Sequence, residues 1–160
     1  MRDYGKKFEE ITRAALLAEG VCHDRLPDQV SGQAGSTNPS DFTAYKKPDY
    51  LYIECKSCQS ERFDIKSRIS EGQWVKLLDK SKYQGVYAGY LIWFVNQEKV
   101  FWISAPKMQE LYAIKKSFTI NEVDSYAIPI QIKMNRKYPV LINLVSTIVS
   151  AYNQDIESEV

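Results

Sequence analysis

The chain has 160 residues, 44% apolar and 26% charged, with 7 Gly and 6 Pro, a composition that excludes disordered and fibrous classes and lets one core form without cross-links. A net charge of +1 neither demands nor forbids a nucleic-acid partner, so binding one needs a local basic patch. No window approaches the ~18 consecutive apolar residues of a membrane span, and charges occupy Met1 to Lys7 where a signal peptide turns apolar, so a soluble, cytoplasmic protein is expected.

Asp3 to Glu19 places Phe8, Ile11, Ala15 and Leu16 at helical spacing, which predicts an amphipathic helix ended by Gly20. Val21 to Pro39 has no periodicity and carries Pro27, Gly32, Gly35 and Asn38, so it reads as a long loop. Two strands follow, Asp41 to Tyr45 and Tyr50 to Ser57, joined as a hairpin through Lys46-Lys47-Pro48-Asp49. Ser60 to Ile69 is polar and basic. Ser70 to Tyr83 reads as a helix with Trp74, Leu77 and Leu78 on one side. Ala88 to Asn96 and Lys99 to Ser104 form a second hairpin signal, and Pro106 to Lys116 a further helix. Tyr126 to Lys133 is an edge-strand candidate, Pro139 to Tyr152 a closing helix, and 153–160 an acidic tail expected to fray. Helices alternating with hairpins predict an α/β fold, a mixed central sheet flanked by helices in a single domain spanning 1–160.

A lone histidine, His23, excludes two-histidine metal sites, so carboxylates must carry any metal chemistry. Cys22, Cys55 and Cys58 cannot all pair with one another and are read as reduced thiols, with zinc at Cys55-x-x-Cys58 the minor alternative. In Tyr50 to Lys56 the period of two sends Leu51, Ile53 and Cys55 to one face and Tyr52, Glu54 and Lys56 to the other. Folding the first hairpin midway between Lys47 and Pro48 sets Asp41 opposite Glu54, with Cβ atoms about 5 Å apart. Two carboxylates that close repel unless a cation lies between them or one takes a proton. A hard ion such as Mg²⁺, with Mn²⁺ as a substitute, suits an oxygen-only ligand set and completes its shell with water and substrate phosphate. Phosphodiester hydrolysis is the matching chemistry, with Lys56 orienting or deprotonating water or balancing phosphorane charge. The plain alternative is a solvated sheet face with a surface ion pair worth ~0–1 kcal/mol. Asp49, in Pro48-Asp49, is a rival first acid, but it lies five residues before Glu54 on the same strand, about 17 Å away and facing the other side.

Pro39-Ser40-Asp41 followed by Glu54-Cys55-Lys56 resembles the PD-(D/E)xK nuclease signature, and the fuller pattern resembles the RecU-type Holliday junction resolvases. Gly5-x-x-Phe8-Glu9 on the first helix, Ser40-Asp41-Phe42, the thirteen residues from Asp41 to Glu54, Glu54-Cys55-Lys56, and Gln73 seventeen residues after Lys56 carry the likeness. The resemblance implies a restriction-endonuclease-like core and a Mg²⁺-dependent, dimeric endonuclease that cuts branched DNA. It implies Asp41 and Glu54 as metal ligands, Lys56 near the nucleophile, Glu9 as a supporting carboxylate and Gln73 as a substrate or water contact. Taken alone, Glu9 complements a helix dipole and Gln73 completes a capping box with Ser70. The chain departs from the family where a long projecting stalk is expected, because residues 21–39 form only a shortened, Gly/Ser-rich counterpart.

Lys6, Lys46, Lys47, Arg62, Lys66 and Arg68 are the main candidate DNA contacts, with Lys7, Lys115, Lys116, Arg25 and Gln29 as further ones. Trp74, Trp93 and Trp102 are read as core residues before base-stacking ones. The alternatives are another nuclease of the same core, of restriction or phage DNA-processing type and acting on duplex DNA; a non-catalytic DNA-binding protein; and an interaction module without nucleic acid.

Overall fold

Asp3 opens the first helix by accepting the Lys6 N–H at 3.0 Å, which satisfies one of the donors a helix start leaves free. Helix α1 (Tyr4–Ala18) turns Phe8, Ile11, Ala15 and Leu16 inward as the spacing predicts, and Gly20, at φ 71°, releases the chain from it. The structure is a computed structural model that describes residues 3–27, 38–123 and 125–158. Gln29 and much of the predicted 21–39 loop therefore lie outside the described residues.

In chain order there follow β1 (Cys22–Arg25), β2 (Phe42–Lys46), β3 (Asp49–Cys58), β4 (Arg62–Asp64), α2 (Ile65–Arg68), α3 (Glu71–Ser81), β5 (Val86–Phe94) and β6 (Lys99–Ser104). Then come α4 (Ala105–Ile114), β7 (Ser117–Thr119), β8 (Ile128–Ile130), β9 (Ile132–Asn135), β10 (Tyr138–Leu141) and α5 (Leu144–Ser158). The central sheet has the order β1-β2-β3-β5-β6-β8 and is mixed, with β3 and β5 parallel and the other neighbours antiparallel. A parallel pair needs a crossover, and β4, α2 and α3 supply it. Strand β5 is buried from Ala88 to Phe94, as a central strand covered on both faces must be. Gly89 lets β6 approach it, since a Cβ there would come within 2.5 Å of the Ile103 carbonyl oxygen.

Two apolar layers sandwich the sheet. Leu51, Ile53, Leu91, Trp93 and Trp102 pack under α1 and α5, while Ala88, Tyr90, Ile92, Phe101 and Ile103 pack under α3 and α4. The predicted alternation along β3 holds: Leu51, Ile53 and Cys55 join the first layer and Tyr52 the second. Trp93 and Trp102 are fully buried, as their core reading expects, whereas Trp74 is part-exposed at the edge of the second layer. The three cysteines are free. Three positions apart on a strand, Cys55 and Cys58 face opposite layers, so neither a disulfide nor a shared zinc links them.

Several predicted elements change. Residues 21–39 contain β1, a polar, largely exposed edge strand of four residues that leaves no periodic trace. The polar stretch after β3 holds β4 and α2, and β4 pairs with β7 through Phe63 opposite Phe118. The candidate strand Tyr126 to Lys133 divides: β8 closes the main sheet, and β9 pairs with β10 in a separate hairpin. Pro139 therefore sits in a strand, and the closing helix starts at Leu144 and runs to Ser158, past the predicted frayed start at Asn153. Among the described residues no helix is long and apolar enough to cross a membrane.

Candidate active site

The register of the first hairpin brings the acids together. Phe42 pairs with Ile53 and Tyr45 with Tyr50, the alignment expected from folding the turn about Lys47 and Pro48. Asp41 stands just before β2, its N–H bonded to the Ile53 carbonyl at 3.1 Å and its carbonyl accepting the Leu26 N–H at 2.8 Å. Buried Ser40 secures this corner by donating its hydroxyl to the Phe42 carbonyl at 2.8 Å. The Asp41 carboxylate accepts the Cys55 N–H at 2.8 Å, which holds it against the strand that carries Glu54.

Glu54 is only 3% exposed, unusual for a carboxylate without a full charge partner. Burial pushes its carboxyl up to about 9, and its hydrogen bond to Asp41 and the Asp41 charge push the same way, with Lys56 opposing. Gln73 on α3 donates its amide to Glu54 Oε2 at 2.9 Å, and Lys56 Nζ donates to Gln73 Oε1 at 3.4 Å. One amide thus holds both charged groups of Glu54-Cys55-Lys56. The capping box forms only half: the Gln73 N–H donates to Ser70 Oγ at 3.3 Å, but the side chain turns into the site.

Glu9 enters from α1. Its carboxylate hydrogen-bonds with Asp41 and accepts from Arg25 Nη2 at 2.9 Å. Burial raises its carboxyl most, and Asp41 adds to this against the lowering effect of Arg25. Asp41 is therefore the shared neighbour of Glu9 and Glu54. Among the described residues no three His, Cys, Asp or Glu side chains close into a metal cage, so any ion here would rely on water or substrate for the rest of its shell.

The remaining candidates divide by position. Lys6 lines, with Glu9, Arg13 and Arg25, a cleft of about 720 Å³ beside the acids. Arg68 donates to the Ser57 carbonyl, the residue after Lys56, and its guanidinium lies 5.8 Å from the Phe63 ring centre. Arg62 donates to Ser117 Oγ at 3.0 Å, and Lys66 is exposed on α2. Lys46 and Lys47 are at the other end of the hairpin, about 17 Å from Asp41 by strand rise. Lys46 is bonded there to Ser146 Oγ at 2.7 Å and lies 3.9 Å from Glu19, so the structure separates this pair from the acidic centre. Lys7 is paired with Glu10 at 3.5 Å and Lys115 with Glu122 at 3.2 Å. Asp49, the rival first acid, hydrogen-bonds Tyr87 on the adjacent strand and does not enter the site.

Sequence reasoning missed Thr12 and Tyr90. Thr12 is a buried helix residue that accepts the Cys55 thiol at 3.4 Å, and burial first, then Asp41, drives that thiol well above its ordinary range. Tyr90 pairs in register with Glu54 and is pushed up by burial and by the Glu54 charge. No local signal marks either, since only the sheet register makes them neighbours.

The sequence matches the family model of Recombination protein U over residues 28–149, well over half of the chain. The chain belongs to the Recombination protein U family. This family comprises Holliday junction resolvases, divalent-metal-dependent nucleases of recombination. No curated protein matches the chain by sequence. Among solved structures, the Archaeoglobus fulgidus Hjc, a Holliday junction resolvase from an archaeal hyperthermophile, is similar at 20% identity and a TM-score of 0.48, covering 64% of this chain and 78% of that one.

Proposed function

We propose that this Recombination protein U member cuts four-way DNA junctions by Mg²⁺-dependent phosphodiester hydrolysis, with Mn²⁺ as a substitute, acting as a homodimer in the cytoplasm. The observation that carries the reading is Glu54: a buried carboxyl hydrogen-bonded to Asp41 and raised to about 9 is a pair of acids short of a cation. Oxygen donors on adjoining strands, with room left for water and phosphate, fit a hard divalent ion, which Asp41 and Glu54 would hold. When bound, the ion supplies Lewis acidity at a phosphoryl oxygen and a more acidic water.

The chain's own residues account for the rest of the chemistry. The Cys55 N–H fixes Asp41, and Gln73 fixes Glu54 and Lys56 relative to each other. Lys56, on the Glu54 face of β3, meets the negative charge that develops on the phosphorus-bound oxygens. Glu9 adds a third carboxylate whose charge Arg25 offsets. Lys6 and Arg13 in the cleft beside Glu9 offer positive charge to the phosphate backbone, as do Arg62, Lys66 and Arg68 around the crossover. A homodimer presents two such sites, as paired cuts across a junction require.

The test incubates the protein and Mg²⁺ with synthetic four-way junctions, flaps and linear duplexes. Paired, symmetric nicks near the branch, lost in Asp41→Asn and Glu54→Gln, are the expected result. Cleavage of linear ends in preference to junctions would assign the chain to end processing instead, and cleavage that survives both substitutions would remove the site.

A further inference from the structure

Next to Gln73 on α3, Trp74 lines a second pocket of about 460 Å³ together with Ile65, Lys66, Ile69, Glu71 and Tyr112. It lies where α2 and α3 meet α4. Ile65 and Ile69 are buried and form its floor, while Trp74 and Tyr112 are part-exposed and meet edge to face, with ring centres 5.4 Å apart. Lys66 and Glu71 stand exposed in its lining. Apolar walls with an aromatic face, one ammonium and one carboxylate suit a single ligand chemistry, a nucleotide out of its stack.

We propose that this pocket receives one unpaired base from the branch point of the DNA substrate, a base carrying an exocyclic amine. The base stacks on the Trp74 ring with Tyr112 meeting it at the edge, its amine donates to the Glu71 carboxylate, and Lys66 pairs with the adjoining phosphate. The inference rests on the junction-cutting reading above and deepens it. A continuous duplex keeps its bases stacked and has nothing to insert, whereas a branch point offers bases whose unstacking costs little. Because Gln73 and Trp74 are consecutive, a base seated here fixes the strand relative to Glu54 and Lys56, so the pocket discriminates branched from linear DNA beside the reacting phosphate.

The experiment measures equilibrium binding in chelator, without cleavage, to three four-way junctions: one with amine-bearing bases flanking the branch, one with thymine there and one abasic there. Wild type is expected to bind the first about tenfold more tightly than the abasic junction, with thymine between. Intrinsic fluorescence gives a second readout, because Trp93 and Trp102 are fully buried and quenching by the first junction reports on Trp74. Trp74→Leu, which keeps an apolar wall, is expected to level the three affinities and abolish the quenching, and Trp74→Phe to restore much of the discrimination. Glu71→Gln is exposed, does not threaten folding, and is expected to change the preference among bases while leaving the abasic junction unaffected. Equal wild-type affinity for all three junctions, with Mg²⁺-dependent junction cutting intact, overturns the pocket alone. Absence of both junction binding and junction cutting overturns the functional reading and the pocket together.

Discussion

The two ends of the β2–β3 hairpin carry similar side chains and treat them in opposite ways. At the turn end Lys46 and Asp49 have partners: Lys46 meets Ser146 and Glu19, Glu19 accepts the Val145 and Ser146 N–H groups at 2.9 and 3.0 Å, and Asp49 accepts from Tyr87. At the open end Glu9, Asp41 and Glu54 adjoin one another, with Lys56 and Arg25 offsetting only part of the charge. The paired end stabilises the fold. The acidic end sacrifices stability, and such strain persists where a ligand relieves it.

The sharpest way to break this contrast is Asp41→Asn or Glu54→Gln. Either is expected to lower single-turnover junction cleavage by more than about a hundredfold, the upper range for losing even a supporting partner of a metal ligand, while gel-shift binding of the junction persists. Gln73→Ala leaves the acids but frees Glu54 and Lys56, so cleavage should fall about 10–100-fold, with the metal titration shifted to higher concentration. Cleavage unchanged in this variant would mean that the amide bridge holds nothing of consequence.

A pH series sharpens the same comparison. The Glu54 carboxyl moves from an ordinary 4.5 to about 9 on folding, so between those values the native protein retains a proton that the unfolded chain has released. Stability of the metal-free protein is therefore expected to decline as pH rises from about 4.5 to about 9. Glu54→Gln should flatten that decline and raise the melting temperature at pH 8 by on the order of 5 °C. A melting temperature that climbs over this range would contradict the raised value. At the paired end the expectation reverses. Glu19→Gln weakens the cap of α5 and should cost about 0.5–2 kcal/mol in urea unfolding, with cleavage per folded molecule unaltered. Smallest of all, Tyr87→Phe removes one hydrogen bond to Asp49, about 1 kcal/mol.

What the sequence disclosed follows the same division between near and far. The hairpin register, and with it the meeting of Asp41 and Glu54, was legible because a turn and a period of two are local properties. The distance between Asp49 and the site was legible for the same reason. The other partners were not. Glu9 meets Arg25 only because β1, too short and polar to announce itself, carries that arginine back beside α1. Gln73 had two readings from sequence, and only the packing of α3 on the sheet turns its side chain from the cap to Glu54. Lys46 and Lys47 read as a basic pair open to DNA, whereas α5 and the end of α1 claim Lys46. Spacing within one element transmits well through sequence. Which elements share a corner depends on the whole topology.

The Glu19 cap has a further consequence for how the molecule is made. It joins the helix carrying Glu9 to residues 126 and 127 positions later, and contacts so distant in sequence form only after the intervening chain exists. Glu9, by contrast, is held by Arg25 and Asp41, which lie 16 and 32 positions after it, so the acidic end of α1 is anchored by nearer segments than its Glu19 end. The two ends of one helix thus close at different reaches along the chain: the cap end waits for the far segment, and the acidic end does not.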